Sequence, residues 1–207
     1  MSTKLVLHVT DNLVIGGSQR ILTELVLSLA KGRYHQKVLC LEGTGPFHQQ
    51  LINEGIDVYC IDNNGDSWLS KLKATIRMFK SLNPSIVQTY RFSANTYGRI
   101  AALYCRTPVI LAVEHGLDPW KGRLALAMDN VLVRLTNGVI ADTDFLRSLL
   151  QSRGIPASKT FPIPEGFNSG KFQKLNRNLK ESKSIDAIPT IGTVSRLIPE
   201  KGIQFLL

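Results

Sequence analysis

Residues 4–29 read KLVLHVTDNLVIGGSQRILTELVLSL. The apolar run 5–9, bounded by Lys4 and Thr10, is a strand of the kind buried on both faces. Residues 11–18 form a loop around the pair Gly16-Gly17. After it Ile21, Leu22, Leu25, Val26 and Leu29 recur at helical spacing, until Lys31 and Gly32 end the helix. This strand–loop–helix unit repeats down the chain. Further strands are predicted at 37–41, 57–61, 85–89, 109–113, 138–141 and 160–163, and further helices at 47–53, 68–82, 94–104, 120–135 and 143–151. Strands that are continuous apolar runs need cover on both sides. Alternated with helices, they give an α/β fold: a Rossmann-like, doubly wound parallel sheet with helices on both faces. Ligands of such sheets sit at the carboxyl ends of the strands, so loops 11–18, 90–93, 114–119, 142–144 and 164–168 are the places to search.

The organisation changes after residue 168. Residues 1–168 read as one complete domain, and 169–187, rich in Lys, Arg, Asn and Ser, read as a linker. Residues 188–207, IPTIGTVSRLIPEKGIQFLL, open a second unit: a strand at 190–195, a turn, and a helix begun by Glu200, Lys201 and Gly202. One strand and half a helix cannot enclose a core, so this unit is expected to be the truncated start of a second domain.

Composition bounds the function. The 207 residues are 43% hydrophobic and 20% charged, which is ordinary globular material. No apolar run approaches the ~18–20 residues that cross a bilayer, and the N-terminus lacks the pattern of a signal peptide. Cys40, Cys60 and Cys105 have no metal-like spacing and read as free thiols of a reducing cytoplasm. The net charge of +9 is uneven, +4 over residues 1–150 and +5 over 151–207. That balance suits nucleic acid, an anionic membrane surface or phosphorylated small molecules. No zinc knuckle, helix-turn-helix or RNP-like motif supports nucleic acid.

Four motifs carry candidate chemistry. Gly16-Gly17, followed by Ser18, Gln19 and Arg20, would let the backbone approach an anion at a helix N-terminus; an ordinary βα turn reads the same way. It is not the G-x-G-x-x-G dinucleotide fingerprint, which argues against a nicotinamide enzyme. Glu114-His115-Gly116 ends the fifth strand, where a histidine works near neutral pH or simply satisfies a loop carbonyl. The run from Pro164 to Asn168 is expected to be a hinge without chemistry. Arg196 and Lys201 flank a turn and could clamp a diphosphate, although two basic residues in a turn are usually just solvated. In addition Lys73, Arg77 and Lys80 flank the apolar stripe of Leu69, Leu72, Ile76 and Phe79. A membrane-surface helix has this pattern, but so does a helix covering a sheet, and the latter is favoured.

Taken together these pieces resemble the retaining GT-B glycosyltransferases of family 4, the "group 1" type. The order matches: GG-x-QR after the first strand, NPSIVQTY…YGRIAA in mid-domain, VEHG after a strand, IPEGFN at the hinge, and IGTVSRLIPEKG, where Ser195 replaces a usual glycine. The resemblance implies two facing Rossmann-like domains. The N-terminal one receives a glycan or lipid-linked acceptor, and the other holds a nucleotide-diphosphate sugar; transfer retains configuration and needs no metal or other cofactor. It implies that Gly16 and Gly17 lie near the donor phosphates, that His115 is catalytic beside the transferred sugar, and that Arg196 and Lys201 bind the diphosphate. Arg20, Tyr90, Glu114 and Gly116 would line the cleft. Three departures stand out. Gln88-Thr89-Tyr90 replaces a His-x-His, and Glu165 and Asn168 alter the usual P-N-G-x-D hinge. The family's paired glutamates, E-x7-E, do not occur up to Leu207, so the 207 residues alone are expected to be inactive. The rival reading is a non-catalytic module on an anionic membrane or glycan surface. The expected setting is the cytoplasm, with peripheral membrane contact.

Overall fold

The computed structural model describes residues 4–29, 32, 34–61, 67–116, 122–166, 192–195 and 197–206. The chain divides into two compact units, Met1–Phe167 and Asn168–Leu207.

In the first unit seven strands alternate with six helices: β1 Lys4–Thr10, α1 Gly17–Leu29, β2 Tyr34–Cys40, α2 Pro46–Asn53, β3 Asp57–Cys60, α3 Trp68–Leu82, β4 Ile86–Tyr90, α4 Phe92–Tyr104, β5 Val109–Glu114, α5 Arg123–Leu135, β6 Gly138–Ala141, α6 Asp144–Ser152 and β7 Thr160–Pro162. They form one sheet of order β3-β2-β1-β4-β5-β6-β7, parallel throughout. The expected doubly wound sheet is therefore observed, and its strand order reverses between β1 and β4.

Alternation along each strand divides the core between two faces. Leu7, Val9, Leu39 and Val87 point to one, where they pack with Phe79 of α3 and Ala94 and Ala101 of α4. On that same face Ala112, Val139 and Ala141 meet Val133 of α5 and Leu146 and Leu150 of α6. Val38 and Cys40 point to the other face, against Leu22 and Val26 of α1 and Leu51 of α2. All of these are buried, and burying each valine, leucine or phenylalanine among them stabilises the fold by about 1.5–3 kcal/mol. Gly98 sets how closely α4 lies on the sheet: a Cβ there would stand 2.7 Å from Thr89 Cγ2 and 3.5 Å from Val9.

Helix ends follow from local chemistry. Asn83 stops α3 in the left-handed region (φ 45°), its N–H donating to the Phe79 carbonyl, and Thr143 caps α6 by accepting the Leu146 N–H. Deep between α4 and α5, Arg99 is 1% exposed. Its guanidinium donates to the Asn95 carbonyl and to Asp129, tying the two helices together.

The second unit differs from the sequence reading. Residues 192–195 form no strand. In place of a helix there are two short 3₁₀ turns, Pro199–Lys201 and Ile203–Phe205, separated by Gly202 at φ 64°. A strand needs a ladder partner and a helix needs a nucleus longer than one turn; among the described residues of this unit neither is present. Residues 169–191, expected to hold the linker, lie outside the described residues, as does Arg196.

Candidate functional site

Because every strand runs the same way, the carboxyl ends of β1 and β4–β7 share one edge of the sheet. At the end of β1 stands Asp11, which is buried. Its Oδ1 accepts the Ala94 N–H in the first turn of α4 at 2.8 Å, and its Oδ2 is 3.5 Å from Arg91 Nε. Its carbonyl accepts the N–H groups of Leu41 and Glu42. Burial pushes the Asp11 carboxyl up to about 6, against the pull of the Ala94 N–H. Arg91 precedes α4 at φ 71°, a conformation that costs a side-chain-bearing residue about 1–3 kcal/mol and tends to occur where function demands it. Both lie where the strand order reverses, the usual ligand crevice of such sheets.

The glycine loop is braced by Gln19, whose Nε2 donates to Asn12 Oδ1 at 3.0 Å. A Cβ on Gly16 would stand 2.4 Å from Gln19 Oε1, so Gly16 makes room for that brace. Gly17 opens α1, exposed, and the Arg20 side chain projects to solvent.

At the end of β5 the Glu114 carboxylate accepts from Asn95 Nδ2 at 2.9 Å, while Asn95 Oδ1 accepts the Thr89 hydroxyl at 2.6 Å. Next in the chain is His115, whose Nδ1 lies 2.8 Å from Glu165 Oε1. A carboxylate only accepts, so Nδ1 carries the proton. Nε2 is buried and has no hydrogen-bond partner among the described residues. One face of the imidazole lies on the Tyr90 ring, with centroids 6.1 Å apart and planes at 14°. Tyr90 itself is 1% exposed; it supports His115 from below and does not present an open wall to the crevice. Its hydroxyl donates to His8 Nδ1 at 3.0 Å, and His8 Nε2 donates to Gln36 Oε1 at 2.8 Å. Burial lowers the His8 pKa to about 4, partly offset by the Gln36 bond, so the ring is neutral and can both donate and accept along this chain.

Asp142 completes the edge. Ligand atoms of His115, Asp142 and Glu165 all lie within 4.8 Å of one another, an imidazole-and-carboxylate set of the type that divalent cations accept. Gly116 is exposed beside His115. Lys201 ends a 3₁₀ turn in the second unit with its side chain in solvent.

Sequence reasoning missed Asp11, His8, Gln36 and Asn95, which look like ordinary polar residues within apolar strands or on a helix. It also took residues 164–168 as a hinge without chemistry, whereas Glu165 holds His115. The only available signal was that Glu165 stands where the resembled family usually has asparagine.

Residues 16–166 match the glycosyl transferase 4-like domain family. A comparison with curated proteins finds no match. Among solved structures, HepE of Anabaena in complex with UDP-glucose superposes with a TM-score of 0.68 at 18% identity, over 84% of this chain and 49% of that one. A glycosyltransferase from Rickettsia africae gives 0.67 at 16% identity, over 88% and 51%. A UDP-N-acetylglucosamine 2-epimerase from Rickettsia bellii gives 0.57 at 17%, over 87% and 50%. At such identities the likeness is one of fold: the seven-stranded sheet is half of a GT-B fold, and the chain spans about half the length of these proteins. With its family match running from the glycine loop to the residue after Glu165, the chain belongs to the glycosyl transferase 4-like domain family.

Proposed function

We propose that the first unit is the acceptor-side half of a retaining glycosyltransferase that moves a sugar from a nucleotide-diphosphate donor to a glycan or lipid-linked acceptor, without a resident cofactor. The observation that carries this reading is His115, fixed on one edge by Glu165 and on one face by Tyr90 at the carboxyl end of β5. Preorganised polar groups of this kind, aimed at a reacting centre, commonly supply the largest share of catalysis. The structural relatives named above include HepE, which binds UDP-glucose, and that supports a nucleotide sugar as donor. Gly16 and Gly17 would approach its phosphates, and Arg196 and Lys201 are further candidates to bind a diphosphate. Glu114, Gly116 and Arg20 border the acceptor space. The reading is tested by saturation-transfer NMR of the chain against glycans, polyprenyl-linked sugars and nucleotide sugars. Binding of one acceptor class, weakened tenfold or more by His115→Ala, is the expected result; no binding of any class would overturn it.

A second reading has its own observation. On α3 the side chains of Trp68, Leu69, Lys73, Arg77 and Lys80 are exposed, and none of the three cations is in a described ion pair, although Lys80 lies over the Tyr104 ring at 5.1 Å. No helix among the described residues is long and apolar enough to cross a membrane; this face would rest on an anionic one from the cytoplasmic side. Each cation near such a surface contributes about 1 kcal/mol. Replacing all three with glutamine should therefore weaken co-sedimentation with phosphatidylglycerol vesicles by on the order of 100-fold at low salt. Equal binding to neutral vesicles by the unmodified chain would count against the idea.

A further inference from the structure

The sequence assigns residues 164–168 to a hinge, yet Glu165 reaches back across fifty positions of sequence to His115. We propose that Glu165 is a positioning residue: its carboxylate holds the proton on His115 Nδ1, so that Nε2 is the atom left to accept a hydrogen bond from a sugar hydroxyl. The role of His115 toward sugar rests on the function proposed above; the role of Glu165 toward His115 does not.

Three observations fix the imidazole. Its Nδ1 is engaged by Glu165 Oε1 at 2.8 Å. Its face is held by Tyr90, whose own hydroxyl is anchored on His8 and through it on Gln36, all three buried. Its Nε2 is buried with no partner among the described residues. A neutral ring can carry its proton on either nitrogen, and the bond made by one nitrogen decides the state of the other. A proton on Nε2 would leave a buried N–H unpaired and set a bare Nδ1 lone pair against a carboxylate, both unfavourable. With the proton on Nδ1, the only unmet capacity is one lone pair. A lone pair selects ligands that donate, and a sugar hydroxyl is such a donor. Tyr90 holds the plane of the ring, and flipping the ring within that plane would lose the Glu165 bond, so the direction of that acceptor is fixed before ligand arrives.

Asp142 stands close enough that the same three side chains could hold a cation instead. The two occupancies make opposite demands. As a positioning group Glu165 needs a proton between itself and the ring; as a metal ligand it would share an ion with His115.

The test is the tautomer of His115, read from long-range ¹H–¹⁵N correlation spectra of the histidine-labelled 207-residue chain at a pH where the ring is neutral. The expected result is protonated Nδ1 and bare Nε2 in the unmodified protein. Glu165→Ala should move the proton toward Nε2. Glu165→Gln, whose amide oxygen still accepts, should restore the original tautomer. Backbone spectra of each variant establish that it is folded, as expected for a side chain as exposed as Glu165. The proposal is overturned if the unmodified ring carries its proton on Nε2, if Glu165→Ala leaves the tautomer unchanged, or if micromolar Mn²⁺ selectively broadens His115 and Glu165. Should the tautomer respond as expected while sugar binding does not change in Glu165→Ala, the positioning role stands and the sugar-facing role of His115 falls. The converse result separates them equally well.

Discussion

Asp129→Ala should lower the unfolding free energy by about 3–5 kcal/mol, the range for removing one partner of a buried ion pair. Arg99 is almost wholly enclosed between α4 and α5, and its described acceptors are Asp129 and the Asn95 carbonyl. Without Asp129 the guanidinium, which cannot shed its proton, is left as a buried charge. Asp129 is itself one-fifth exposed, so water can reach the vacated position and the lower end of the range is expected. For a unit of this size 3 kcal/mol corresponds to a fall in Tm of about 6–12 °C. The double replacement Arg99→Met with Asp129→Leu, which removes both charges and keeps most of the volume, should be far milder, because hydrophobic replacement of a whole buried pair is often neutral. Urea unfolding of both variants checks this. An Asp129→Ala protein within 1 kcal/mol of the unmodified one would show that the pair is not what secures α4 to α5.

The second large effect concerns pH. Asp11 titrates at about 6 in the fold against 3.8 as a free side chain, so the folded state holds more protons between those values and stability falls as pH rises through them. His8 titrates at about 4 against 6.5. There the unfolded state holds more protons, and stability rises with pH over nearly the same window. A shift of two pKa units or slightly more corresponds to about 3 kcal/mol, so the two slopes are comparable and opposed. The unmodified chain should therefore show a shallow profile from these two groups between pH 4 and 6.5. Asp11→Asn keeps an oxygen for the Ala94 N–H and removes the buried charge. It should uncover the His8 slope, gaining about 3 kcal/mol from pH 4 to 6.5, and should be more stable than the unmodified protein at pH 7. Chemical denaturation at four pH values measures it. If Asp11→Asn gives the same shallow profile as its parent, the opposed titrations are not present. A carboxylate kept buried at such a cost, at the switch point of the sheet, is the kind of group that function retains.

Much of the fold was legible because the strands are covered on both faces. Runs such as 5–9 and 109–113 have no polar side to confuse with a surface helix, and the helices between them carry clear apolar stripes. Trp68–Leu82 and Gly138–Ala141 match the sequence expectation at both ends. Other boundaries moved by one to three residues, mostly where polar residues such as Tyr34, Gln36 and Thr10 extend a strand that apolar pattern alone would shorten. The site was only half legible. His115 announces itself by residue type and position. Glu165 does not, because its partner lies fifty positions away and its neighbours, Pro164 and Gly166, carry the signature of a turn. His8 and Gln36 were hidden for a related reason: their meaning comes from pairing across β1 and β2, which no local pattern records.

The strand order also sets a timetable. β1 lies inside the sheet, with β2 on one side and β4 on the other. During synthesis β2 is complete at Cys40, but β4 does not begin until Ile86. At typical elongation rates of ~5–20 residues per second, those 46 residues take about 2–10 s. For that interval the edge of β1 that β4 will cover has no ladder partner, which is the circumstance in which a nascent sheet is open to the wrong strand. The Gln36 bond to His8 joins β1 to β2, so half of the buried polar chain can be satisfied within the first forty residues. The other half waits for Tyr90, the last residue of the strand that closes that edge.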